Sequence, residues 1–200
     1  MRVFAPVLGI VCSLLVGCES MPDEISPELP IDAKTQACTH LPSGVVFPKK
    51  LGTLERVSVH AGDPMPGAVT AHYDAAGGSR LHSGTLYLFL QTEITVFPAG
   101  GMSAQALVEK TLTREASMPG YRLEPYRGAT SFNGVAAQCG HCSFDRPIWN
   151  DRSSLKVIVV PHGDYLIRFT FSSFATREQT WQKHVDGFIA TVLAASGPPR

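Results

Sequence analysis

Leu155-Lys156-Val157-Ile158-Val159-Val160 and Tyr165-Leu166-Ile167-Arg168-Phe169-Thr170-Phe171 flank the breaker cluster Pro161-His162-Gly163-Asp164. Both runs are rich in β-branched and aromatic residues, which fit a pleated, half-buried surface. Pro, Gly and Asp between them interrupt a strand and supply turn geometry. The segment predicts an antiparallel hairpin that turns over 161–164. It decides the fold class, because its surroundings read as further hairpins and as helices able to cover them.

Downstream, Thr176 and Gln179 form a capping box. Trp181, Val185, Phe188, Ile189 and Val192 then recur at helical spacing as far as about Ala195, before Gly197-Pro198-Pro199. Upstream, Asn133-Gly134 between Phe132 and Val135 predicts a tight hairpin turn. Ser103 reads as the N-cap of a helix reaching about Ser117, with Leu107, Val108, Leu112 and Ala116 on its apolar face. Thr85-Leu86-Tyr87-Leu88-Phe89-Leu90 is apolar on both faces, as in a central strand covered on two sides, and Ile94-Thr95-Val96-Phe97 continues it or pairs beside it. Earlier still, Arg56–His60 and Val69–Tyr73 alternate around a Gly/Pro-rich loop. Their expected register sets Val59 opposite Ala71, Val57 against Tyr73 on the apolar face, and Arg56 against Asp74 on the polar face. A slip of one residue would mix the faces.

The order is strands, helix, strands, helix, without the strand–helix alternation of a parallel sheet. The expected fold is therefore α+β: a single domain, mainly an antiparallel sheet with helices packed on its faces. This order, with its closing strands and helix, resembles the α/β/α sandwich of PsbP/Mog1-like proteins. The resemblance is architectural and implies an accessory or binding role more than an enzyme.

The N-terminus carries a different message. Met1-Arg2 precedes an apolar run of 14 residues, Val3 to Val16, which contains Pro6 and Gly9. A bilayer span needs roughly 20 apolar residues, so the run reads as a signal peptide. It ends in Leu15-Val16-Gly17-Cys18, which resembles the lipobox of bacterial lipoproteins. That resemblance implies cleavage before Cys18, a diacylglycerol on its sulfur, and attachment to the cell envelope through acyl chains. Glu19, where an Asp would signal inner-membrane retention, points to the outer membrane, facing the periplasm, in a Gram-negative cell. The expected organisation is a signal peptide over 1–17, an acidic, Pro-rich lipidated tether over 18–36, a globular domain over 37–196 and a disordered tail over 197–200.

Cleavage leaves 183 residues, enough for one domain with a real core. Charged residues make up 17% of the chain, and Lys49-Lys50 is the longest basic run. Nucleic acid, which wants a basic face, is not an expected partner. The expected partners are the membrane, through acylated Cys18, and an envelope protein.

Cys38, Cys139 and Cys142 remain in the mature body. An exported chain meets oxidising conditions, which favours a disulfide, and a bridge from Cys38 to Cys139 or Cys142 is expected. Cys139-Gly140-His141-Cys142 is identical to the redox motif of protein disulfide isomerases in the thioredoxin family. That resemblance implies a thiol–disulfide oxidoreductase using Cys139 and Cys142, with the first cysteine a thiolate at a helix N-terminus. The flanks depart from the family: Gln138 stands where that family has Trp, and Ser143-Phe144-Asp145-Arg146-Pro147 starts a helix poorly. Cys38-Thr39-His40 with Cys139-Gly140-His141-Cys142 would supply three thiolates and an imidazole, a zinc-like ligand set. His60 and His72 on the polar face of the first hairpin, and Gly100-Gly101-Met102-Ser103 at a helix start, are lesser candidates for a metal and an anion. No G-x-S-x-G, H-E-x-x-H, Walker A or G-x-G-x-x-G motif occurs. No cofactor or resident metal is expected, and an enzyme is the lesser expectation.

Overall fold

The computed structural model describes residues 24–62, 65–75, 91–117, 121–123, 128–132, 134–146, 151–174 and 178–198. In chain order the elements are β1 (Glu24–Ile25), β2 (Cys38–His40), β3 (Val45–Phe47), β4 (Lys50–Leu51), β5 (Leu54–Ala61), β6 (Val69–Ala75), β7 (Gln91–Pro98), α1 (Ala104–Ala116), β8 (Tyr121–Leu123), β9 (Gly128–Phe132), β10 (Val135–Arg146), β11 (Asp151–His162), β12 (Tyr165–Phe174) and α2 (Glu178–Ser196). One sheet runs in the order β1-β5-β6-β7-β12-β11-β10-β8, with β4 also on β5 and β9 also on β10. Its pairings are antiparallel except for β1 on β5, which is parallel. The protein is sheet-rich and mostly antiparallel, with two helices among the described residues.

The deciding hairpin is β11–β12, and its turn is tighter than the breaker cluster suggests. His162 pairs with Tyr165, which leaves only Gly163-Asp164 as the loop, and Gly163 has φ +60°. Two-residue hairpin loops need positive φ, which glycine adopts without strain. Pro161 belongs to β11, but pairing with β10 ends at Val159, so its missing N–H falls beyond that ladder. Phe132 also stands opposite Val135, as the expected hairpin requires; Asn133 lies outside the described residues.

Alternation splits the core in two. Ile158 and Val160, with Ile167, Phe169 and Phe171, pack in one cluster with Val185, Phe188, Ile189 and Val192 of α2. Val157, Val159 and Leu166 face the other way, into a cluster with Leu107, Val108 and Leu112 of α1. Ser103 caps α1, its Oγ accepting from Ala106 N at 3.1 Å. Leu107, Val108 and Leu112 of α1 and Val185, Phe188, Ile189 and Val192 of α2 are buried as their spacing requires, while Ala116 is half-buried. Thr85 to Leu90, Thr176 and the Trp181 side chain lie outside the described residues.

Two expectations are corrected. Val59 does face Ala71, but the register shifts between Arg56 and Ser58, so Tyr73 pairs with Arg56 and Asp74 with Glu55. The bulge turns Arg56 inward, to 1% exposure. There Nη1 donates to the Phe47 carbonyl at 2.5 Å and Nη2 to the Gln36 carbonyl at 2.8 Å. A strand with strict alternation cannot place Leu54, Arg56 and Val59 on one side; one extra residue lets it.

The second correction concerns the tether, expected to run to Gln36. From Glu24 onward that segment is folded onto the body. β1 lies on β5, Ser26 N donates to the Val59 carbonyl at 2.9 Å, and Leu29 enters the core. Asp32 then organises a turn, its Oδ1 accepting from Lys34 N, Thr35 N and Thr35 Oγ1. These bonds, those of Thr35 foremost, hold the Asp32 carboxyl below its ordinary pKa. Acidic, Pro-rich composition described the surface of this segment, while Ile25 and Leu29 supply the contacts that hold it down.

Candidate functional site

The Cys139-Gly140-His141-Cys142 motif sits in the middle of β10, an extended strand, and not at a helix start. Neighbouring residues on a strand point to opposite faces, so residues three apart also do. Cys139 is buried in the α2-side cluster and Cys142 in the α1-side cluster. The sheet separates their side chains. A bridge between them would require β10 to leave its ladders with both β9 and β11. Neither cysteine has the helix N-terminus that lowers a thiol pKa in the thioredoxin-like setting.

Gly140 has its own explanation. A Cβ built there would lie 2.3 Å from Leu112 Cδ1 and 2.7 Å from Val108 Cγ1. The absence of a side chain lets α1 approach β10 closely. His141 pairs across the ladder with Lys156, on the α2 side of the sheet, and both are buried. The four residues that look like a redox motif are thus a helix-packing glycine within a strand that feeds both cores.

Cys38 shares the α2-side cluster with Cys139, and Cys142 is on the far side. This leaves Cys38–Cys139 as the expected bridge compatible with the faces; among the described residues no disulfide is formed. The zinc-like set does not converge either, whichever of His40 and His141 supplies the imidazole, because Cys142 is across the sheet from Cys38 and Cys139. Among the described residues no group of three or more His, Cys, Asp or Glu side chains is placed to hold a metal. The Gly100-Gly101 segment is an entry loop with positive φ at both glycines, and Ser103 occupies the helix start itself. Cys18 lies outside the described residues.

His60 and His72 do share a face, their ring centroids 6.2 Å apart. They belong to a larger polar surface. One row across the sheet is His60, Thr70, Thr95, Arg168; the next is Ser58, His72, Glu93, Thr170. Each row continues on β11 into Val159 and Val157, in the α1-side cluster. Arg168 is 6% exposed; it ion-pairs with Glu93 and donates to Thr95 Oγ1 at 3.1 Å. Its guanidinium also lies 4.9 Å from the centre of the Phe97 ring. Thr95 Oγ1 donates to Glu93 Oε1 at 2.9 Å, and Thr70 Oγ1 donates to Thr95 at 3.2 Å. Sequence reading found the histidines but not Arg168 and Glu93, which are 75 residues apart and meet only through the β7–β12 ladder. The network fixes a buried charge and its counter-charge; it presents no nucleophile beside a base.

A second buried polar cluster joins the β2–β3 ribbon to the β11–β12 turn. His40 Nδ1 and Ser43 Oγ are 2.8 Å apart, Ser43 Oγ accepts from Val45 N at 3.1 Å, and Tyr165 packs edge-on against His40 at 5.5 Å. His162 is buried nearby, hydrogen-bonded to the Ser43 backbone. Desolvation lowers the pKa of both imidazoles; at His162 the Ser43 bond opposes it. Ser43 is 2% exposed, out of reach of a substrate, so the Ser–His contact reads as a turn-fixing bond and not a hydrolytic dyad.

No family model matches the chain, and no curated protein matches it either. Among solved structures, a Pseudomonas aeruginosa protein of unknown function described as a putative regulator aligns over 56% of this chain and 77% of that one, at 14% identity and a TM-score of 0.40. That similarity is too low to carry an argument about fold or function.

Proposed function

We propose that the chain is a lipid-anchored protein of the cell envelope, outer membrane in a Gram-negative cell, whose folded body has an accessory, binding or assembly role. The observation that carries this reading is Leu15-Val16-Gly17-Cys18 at the end of a short apolar run behind Met1-Arg2. Acylation supplies the membrane affinity: each buried methylene contributes about 0.8 kcal/mol, and more than one chain makes anchoring stable. Among the described residues no helix is long and apolar enough to cross a membrane. We read the architecture as α+β, with α1 and α2 on opposite faces of the sheet, as the PsbP/Mog1-like resemblance implies. What supports an accessory role is that the Arg168–Glu93 network and the His40–Ser43 contact are tied into structure.

The rival reading, an oxidoreductase using Cys139 and Cys142, has against it the burial of the two cysteines on opposite faces of β10. Expression of the wild type and Cys18→Ser with a clickable fatty acid tests the proposal. Label on the wild type, with an unlabelled and unprocessed variant, is the expected result. A mature-sized, membrane-retained Cys18→Ser product would contradict it.

A further inference from the structure

We infer that the β1/β4 edge of the sheet is held against the bilayer and that the β9–β10 edge projects away from it. This rests on the acylation of Cys18 proposed above and adds the orientation of the body. Glu24 is already paired with Ser58, so only five residues, Glu19 to Asp23, separate the lipidated cysteine from the fold. Six residue steps reach at most about 20 Å, against about 60 Å for a free tether running to Gln36. β1 is the outermost strand, and β10 lies six strand positions away across β5, β6, β7, β12 and β11, with β9 beyond it. At about 4.8 Å per strand the far edge is roughly 30 Å from the leash. The leash is shorter than the sheet is wide. The body therefore cannot exchange one edge for the other at the membrane.

The point at which the leash joins the fold is also set. β1 runs parallel to β5, so its first residue, Glu24, lies toward the end at which β5 begins. β4 sits on that stretch of the same edge, Lys50 opposite Glu55, and the following turn exposes Gly52 and Thr53. These residues face the phospholipid headgroups. At the opposite edge, the β9–β10 turn presents Gly134 and Val135, the latter 39% exposed, to the aqueous side, where a partner protein can reach them.

Site-directed spin labelling tests the orientation. Thr53→Cys and Val135→Cys are each made in the full-length lipoprotein, whose Cys38, Cys139 and Cys142 are buried from the label. The labelled proteins are reconstituted in phosphatidylethanolamine/phosphatidylglycerol vesicles containing a nickel-chelating lipid. Strong paramagnetic relaxation at Thr53 and weak relaxation at Val135 is expected. A flexible Gly/Ser insertion after Ser20 should reduce the Thr53 effect. With Cys18 shown by mass spectrometry to be acylated, equal relaxation at the two positions, or a Thr53 effect indifferent to the insertion, overturns the orientation alone. An unmodified Cys18 overturns the anchoring reading and this inference with it.

Discussion

Cys139 and Cys142 stand three residues apart on one strand with the sheet between their side chains. Their proximity in sequence suggests a redox pair, and the strand periodicity denies it. Peptide mapping under non-reducing conditions should find no Cys139–Cys142 link. If a bridge is present it should join Cys38 to Cys139. Any of the three cysteines that is not in that bridge should react with maleimide far more slowly in the native protein than after unfolding, since all are buried. A Cys139–Cys142 link in folded protein would contradict the strand assignment.

Gly140 should be intolerant of any side chain. The Cβ of Gly140→Ala would meet Leu112 and Val108 below van der Waals distance. Overpacking of this kind costs about 1–3 kcal/mol. Thermal or denaturant unfolding should show that loss, and trimming the helix in a Gly140→Ala/Leu112→Ala double variant should be less destabilising than the sum of its parts. A neutral Gly140→Ala would mean that α1 does not sit over β10.

Much of this was legible in the sequence, and the exceptions have physical causes. The β11–β12 hairpin, the pairing of Phe132 with Val135, the Ser103-capped helix and the α2 face from Val185 to Val192 could be read because local pattern and tertiary structure agree there. The bulge after Arg56 could not. Nothing local marks it, and the carbonyls that receive Arg56, those of Phe47 and Gln36, belong to separate segments. The pairing of Arg168 with Glu93 was hidden in the same way, in the register of β7 against β12. Composition misjudged 24–36, since two apolar residues among many polar ones suffice to dock it.

Arg56 should accordingly be structural. Arg56→Ala removes the donors that face two main-chain carbonyls, and an unsatisfied buried polar group costs about 1–3 kcal/mol. Equilibrium unfolding should show a loss of roughly 2–5 kcal/mol, with faster proteolysis of the segment around Gln36. A change within error of zero would remove the buried arginine from the account.

The His40 and His162 pair gives stability a pH dependence. Burial lowers both pKa values in the folded state, so the unfolded chain binds more protons. Their contribution is complete above the unfolded value of about 6.5 and is lost as the pH falls below it toward the depressed folded values. Denaturant midpoints measured from pH 8 to pH 5 should fall on the acid side, and His40→Phe should flatten part of that slope. A slope unchanged by the substitution would mean that His40 does not titrate on unfolding.

The central claim is the lipid anchor, and intact mass spectrometry of the protein extracted from native membranes tests it most directly. The account predicts a mature chain that begins at Cys18 and carries a diacylglyceryl group with a further acyl chain at its amino terminus. A chain that keeps residues 1–17, or one that begins elsewhere with an unmodified Cys18, would contradict it.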